Sequence, residues 1–172
     1  MTPRSSHEMP GWLRVVFAAP HPLYDRGLGW LLGGRFVRVS HVGRRSGRPY
    51  RTVLEVLEHD RRTGAVTVVS GFGRGADWFR NVTSGAPVGV DLGHGPRRAD
   101  FEVLPVGEAV AVLARYEHRN RFAAPVVRRA LSALTGWEYR GTDADRRRLA
   151  EELPMVRLTP ARESQSSGPP AT

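Results

Sequence analysis

Four arginines occupy the eight positions from Arg44 to Arg51, inside the stretch HVGRRSGRPYRTV (residues 41–53). A turn between strands needs glycine or asparagine, which Gly43 and Gly47 supply. It has no need of crowded guanidinium groups, which repel one another at close range. Guanidiniums grip carboxylates and phosphates in two-pronged fashion, so the stretch reads as a seat for an anion. A second stretch, VVSGFGRGADWFRNV (68–82), offers backbone donors. From Gly71 to Ala76 it fits G-x-G-x-x-A, and Asp91 follows about twenty residues on, as a dinucleotide-binding fingerprint requires locally. The rest of the chain argues against that reading, because a doubly wound fold needs several strand–helix–strand units and this sequence has one among hairpins. The local physics survives: free N–H groups at a helix start, with Arg74 close by, favour an anion or an electron-rich ring edge. If the strands before the two loops are neighbours, loops 43–51 and 70–77 meet at one end of the sheet and form one concave site.

Other chemistry is thinly represented. His41, His59, His94 and His118 show no i,i+4 or H-x-x-E-H spacing, so no metal site is expected. The chain has 0 cysteines, which excludes a disulfide framework, a thiolate metal site and a cysteine nucleophile together. EHRNR (117–121) and DRRR (145–148) read as a solvated helix end and a solvated helix face. Trp12, Trp30 and Trp78 read as core.

The elements that must hold these loops follow from periodicity. RFVRVSHV (35–42) alternates, with Val37, Val39 and His41 on one face. YRTVLEVLE (50–58) is rich in β-branched and large apolar residues, and AVTVVS (65–70) follows a turn at DRRTG, so the three form a meander. APVGVDL (86–92) and RADFEVLP (98–105) flank the hairpin turn GHGP. PMVRLT (154–159) is a last strand. Residues 107–119 read as a helix with Val110, Leu113 and Ala114 on one face. Residues 125–135 begin with Pro125 in a first turn and stop at Gly136. Thr142 is placed to cap a helix running to about Leu153, and a shorter helix starts near Ala76. One or two short helices are expected within 11–34. Hairpin-linked strands with helices added indicate an α+β fold around an antiparallel sheet or small barrel.

The totals agree. A chain of 172 residues is most simply one domain, here residues 11–160, with polar, Pro/Ser-rich ends at 1–10 and 161–172 expected to be disordered. It is long enough to bury roughly 70% of its unfolded surface without a metal or disulfide. The start MTPRSSHEMPGWLRVV has no apolar run of signal-peptide length. No stretch approaches the ~20 apolar residues of a membrane span, so a soluble, cytoplasmic protein is expected, as monomer or homodimer. The net charge is +9 and all 26 basic residues are arginine; such a balance suits an anionic partner, whether nucleic acid, anionic lipid or a phosphorylated small molecule. Nucleic acid calls for aromatics interleaved with basic residues on exposed strands. The arginines gather at turns instead, so no nucleic-acid partner is expected.

Together VGRRSGRPYRTVLEV, VVSGFGRGADWFRNV and a helical C-terminal part ending in PMVRLTP resemble the deazaflavin-dependent nitroreductase family of actinobacteria, over about residues 20–160. That resemblance implies a split β-barrel and a bound deazaflavin, coenzyme F420. It implies that Arg44, Arg45, Ser46 and Arg51 hold the phosphate and polyglutamate tail, and that Thr52 and Val53 line the coenzyme. Ser70, Gly71, Phe72 and Gly73 would approach the ring system, and Asp77, Trp78, Phe79 and Asn81 would complete the phosphate-side wall. The sequence departs from the family where Phe72 stands for a frequent lysine and Val53 for a frequent proline. The tyrosines that cover the substrate face of nitro-reducing members are also missing, leaving Trp137 and Tyr139 as candidates, with Tyr139 as a proton or hydrogen-bond donor. The implied activity is hydride transfer between the reduced deazaflavin and a small conjugated, nitro- or quinone-type substrate. The alternatives are the same barrel binding FMN or haem, or a non-catalytic binder of an anionic cofactor.

Overall fold

The computed structural model describes residues 35–161; the expected helices within 11–34, Trp12, Trp30 and the two polar ends lie outside the described residues. In chain order the elements are β1 (Phe36–Val42), β2 (Pro49–Asp60), β3 (Ala65–Val69), α1 (Asp77–Val82), β4 (Val88–Asp91), β5 (Arg97–Val103), α2 (Val106–Arg119), α3 (Ala124–Thr135), α4 (Asp143–Glu152) and β6 (Met155–Pro160). The strands close into a barrel in the order β1-β2-β3-β6-β5-β4, with β4 returning to β1. Every pairing is antiparallel. The expected α+β barrel with flanking helices is the fold.

Alternation decides what faces inward. On β1 the residues Val37, Val39 and His41 are buried while their neighbours are only partly covered. Register carries that face across the barrel, since Val37 opposes Leu54, Val39 opposes Thr52 and His41 opposes Tyr50. Val56, Val66, Val68, Val90, Val156 and Leu158 complete the interior. Each such side chain contributes about 1.5–3 kcal/mol on burial. The short helix α1 closes one end of the barrel by sending Trp78, Phe79 and Val82 into the same cluster, the two rings meeting edge to face at 6.0 Å.

A second core lies outside the barrel wall. Leu57 from β2 and Met155 from β6 meet Val112, Leu113 and Tyr116 of α2 and Leu149 of α4. A register shift on β2 between Val56 and Glu58 lets adjacent Val56 and Leu57 both be buried, one in each core. The buried stripe of α2 is Ala109, Val112, Leu113 and Tyr116. That corrects the expected face of Val110, Leu113 and Ala114 by about one position: the small Ala109 and the long Tyr116 fit the wall better than Val110. α3 buries no residue fully and leans on this core through Val127, Leu131 and Leu134.

Helix ends follow their signals. α3 ends at Gly136, which takes φ 78° and donates its N–H to the Ser132 carbonyl, a left-handed stop open to glycine. α4 opens with a reciprocal cap: Thr142 Oγ1 accepts from Asp145 N at 3.1 Å, and Asp145 Oδ2 accepts from Thr142 N at 3.2 Å.

Candidate functional site

The arginine turn is a tight loop between β1 and β2. Gly43 N donates to Arg48 O and Gly47 N to Gly43 O, both at 2.8 Å, and Gly47 takes φ 65°. Gly43 is also a matter of space. A Cβ there would stand 2.5 Å from Ser46 Oγ and 2.7 Å from the Tyr50 ring. The arginines divide into two sorts. Arg44 folds inward, its backbone N and Nη1 donating to Asn81 Oδ1 at 3.1 and 3.0 Å and its Nη1 reaching Asp77 Oδ1 at 3.1 Å. Arg45, Arg48 and Arg51 are exposed and have no carboxylate partner among the described residues.

The two loops do meet, although the strands before them are not neighbours: β2 stands between β1 and β3. What joins them is α1, which follows the glycine loop and crosses back to the turn through Asp77 and Asn81. The loops are brought together by a helix rather than by strand adjacency.

Two hollows result. A polar cleft of about 400 Å³ is lined by His41, Gly43, Arg44, Arg45, Ser46, Tyr50, Arg51, Thr52, Asp77, Trp78 and Asn81. Beside it lies an apolar cavity of about 300 Å³, walled by Thr52, Val53, Leu54, Leu57, Val69, Gly71, Phe72 and Trp78 from the barrel side and by Leu113, Tyr116, Val127, Leu131, Leu134 and Leu149 from the helices. Thr52 and Trp78 belong to both, so the hollows adjoin there. Among the described residues, Glu55 and Glu117 are the acids on the cavity wall.

The glycine loop differs from the expected donor cradle. Ser70 is fully buried, and its hydroxyl donates to Gly73 O at 2.7 Å while Gly73 N donates back to Ser70 O at 2.8 Å. The loop closes on itself, and a carboxylate, Asp77, opens the helix after it. Gly71 and Phe72 line the cavity; Ser70, Gly73 and Arg74 line neither hollow, and Phe79 belongs to the barrel interior. Asp91, the ribose ligand of the rejected fingerprint, instead holds its hairpin: Oδ1 accepts from Gly93 N and Gly95 N, and Oδ2 pairs with Arg38 at 2.8 Å.

Trp137 and Tyr139 stand outside both hollows. Trp137 Nε1 donates to Glu152 Oε2 at 2.8 Å, with Arg148 stacked 4.3 Å from its ring. Tyr139 is buried, its ring 5.9 Å from that of Trp137 and its hydroxyl donating to Glu117 Oε1. Burial, reinforced by Glu117, pushes that hydroxyl upward in pKa. Glu117 Oε2 also takes Arg146 Nη2 at 2.6 Å and Nε at 3.1 Å. Glu117 and Arg146 are therefore part of a covered network, a correction to the solvated reading of EHRNR and DRRR. Tyr116 repeats the theme, donating to Glu55 Oε1 at 2.8 Å, its own hydroxyl pushed up mainly by burial.

Sequence reasoning missed His41, Tyr50 and Tyr116 as site residues. His41 had one legible signal, an imidazole on the inward face of β1, and Tyr50 stacks on it at 6.0 Å. Tyr116 had none, since its place depends on how α2 lies against β2.

Neither a protein-family model nor a curated protein matches this chain. Solved structures do resemble it. A protein of unknown function from Agrobacterium tumefaciens C58 is 16% identical over 74% of this chain, with a TM-score of 0.47, and the chain spans 49% of that protein's length. An F420-H2 dependent reductase is 17% identical over 72% of this chain and 93% of its own, with a TM-score of 0.45. A pyridoxamine 5′-phosphate oxidase-related, FMN-binding protein from Nostoc punctiforme is 12% identical, covering 90% of this chain and 83% of its own, with a TM-score of 0.44.

Proposed function

We propose that this protein is a deazaflavin-dependent oxidoreductase using coenzyme F420 on a small conjugated, nitro- or quinone-type substrate. The observation behind the reading is that the two hollows adjoin at Thr52 and Trp78. An apolar cavity lies beside a cleft edged by Arg45 and Arg51, which have no acid partner among the described residues. A ligand with a planar ring at one end and a phosphate-bearing anionic tail at the other fits that division. The residues suit the deazaflavin: Val53, Gly71, Phe72 and Trp78 for the ring, Arg45, Ser46 and Arg51 for the tail. When bound, such a cofactor supplies the hydride chemistry. The protein's part is to orient it, hold the tail by charge-assisted hydrogen bonds, and keep water from the ring face.

FMN would use the same cavity with a single phosphate in the cleft, and this is the second reading. Arg44 supports it, since its partners Asn81 and Asp77 leave fewer arginines facing the cleft. The test is a fluorescence titration with oxidised F420, with F420 carrying a shortened glutamate tail, with FMN and with haem. Tight F420 binding that weakens with the shortened tail is expected. FMN binding alone would move the function to the second reading, haem binding alone would make this a haem protein, and binding to none would leave a non-catalytic role.

A further inference from the structure

We infer that His41 is a positioning residue for the arginine turn: by accepting a hydrogen bond from the Asn81 amide, it fixes which way that amide faces and so keeps the Asn81 carbonyl on Arg44. The inference rests on the turn being the anion seat proposed above. His41 and Asn81 are 5% and 4% exposed, and every polar atom of the pair is engaged. Asn81 Oδ1 lies 3.1 Å from Arg44 N and 3.0 Å from Arg44 Nη1, both donors. Its Nδ2 lies 3.2 Å from His41 Nδ1. The far ring nitrogen, Nε2, lies 3.4 Å from Thr52 Oγ1.

Only one assignment satisfies these contacts. If the amide were reversed, its NH2 would face two donors on Arg44, and a buried donor left without an acceptor costs about 1–3 kcal/mol. With the amide as it stands, Nδ1 must be a bare acceptor, so the ring proton sits on Nε2, toward Thr52. The charged groups that line the cleft with the imidazole are Arg44 and Arg45 from the turn, Arg51 from β2 and Asp77 from α1, with the Tyr50 ring stacked from β2. Burial lowers the proton affinity of the ring while Asp77 opposes, which supports the neutral form. The relay matters because Asp77 is 85% exposed and an exposed ion pair is a weak tether. The buried carbonyl of Asn81 is what sets the direction of Arg44. Through Thr52 the same relay reaches the residue shared by cleft and cavity.

The test pairs a spectroscopic readout with binding. In 15N-edited spectra at neutral pH, His41 should be the neutral ring protonated on Nε2. Asn81→Asp sets a carboxylate against Nδ1 and should convert His41 to the doubly protonated form. In F420 titrations, His41→Leu should weaken affinity about tenfold, the equivalent of about 1.4 kcal/mol. His41→Asn, which returns an amide oxygen near the place of Nδ1, should recover most of that loss. A ring protonated on Nδ1 in the unmodified protein would overturn the inference, as would an unchanged His41 form in Asn81→Asp. Equal affinity of His41→Leu and the unmodified protein would also overturn it. If the unmodified protein does not bind F420, the functional reading falls, and the tautomer of His41 and its response to Asn81→Asp alone decide the relay.

Discussion

Arginine does two different jobs within one turn. Arg44 is anchored to Asn81 and Asp77, whereas Arg45 and Arg51 line the cleft with no acid partner among the described residues. Exposed side chains without partners add little to stability. The double variant Arg45→Ala, Arg51→Ala should therefore lower affinity for the anionic cofactor by about 100-fold, two tenfold losses of about 1.4 kcal/mol each. Its melting temperature should stay within a degree or two of the parent. Calorimetric titration together with thermal denaturation checks both halves, and an unchanged affinity would remove these arginines from the site. Tyr139 tests the other end of the sequence-stated site. Its hydroxyl is committed to Glu117, so Tyr139→Phe should cost about 1.5–3 kcal/mol of stability through the lost charged hydrogen bond and leave cofactor affinity unchanged. Denaturant unfolding reads the first effect. A fall in turnover at saturating cofactor would assign the tyrosine to the chemistry instead.

The elements differ in how firmly they are held. α4 has a reciprocal cap at Thr142 and Asp145 and buries Leu149 and Ala150. α3 has no fully buried residue, and its Val127, Ala130, Leu131 and Leu134 form one side of the apolar cavity. The cavity is thus bounded by the barrel wall on one side and by α2, α3 and α4 on the other, of which α3 has no fully buried residue. Removing the cap by Thr142→Ala should destabilise the protein by about 1 kcal/mol. The affected helix should be α4, seen as faster amide exchange at its first turn, with the arginine turn unaffected. Exchange that rises across α3 rather than α4 would contradict that localisation.

Across the whole molecule, two cores share the β2 wall, and His41 is buried on the inward face of β1. Burial holds His41 below its ordinary pKa of 6.5, so between those two values the unfolded chain takes up a proton that the folded chain refuses. Stability is then complete above pH 6.5 and declines as pH falls toward the folded value, with a slope of at most about 1.4 kcal/mol per pH unit. His59 is shifted the same way by burial and Arg61, but it is exposed and adds less. Denaturant midpoints from pH 8 to pH 5 should show the decline, and His41→Asn should flatten it. An equal slope in the variant would place the titrating group elsewhere.

The six strands, the Gly136 stop and the Thr142 cap were legible in the sequence because each depends on residues within one or two turns of itself. The arginine turn was legible for the same reason, four like charges in eight positions having no local purpose. What was not legible is what distant elements bring together. His41 and Asn81 are 40 residues apart, and nothing local in either says that one faces the other. Arg146 and Glu117 looked solvated because charge on a helix usually is, yet α2 and α4 pack so that the two meet, 29 residues apart. Local residue types determined the elements and the crowding of arginines in one turn. Only the packing of α2, α3 and α4 against the barrel wall, with α1 set across its end, decided that an apolar cavity lies beside the arginines. A side chain's type is a local property, whereas a hollow exists only where several elements stop short of one another.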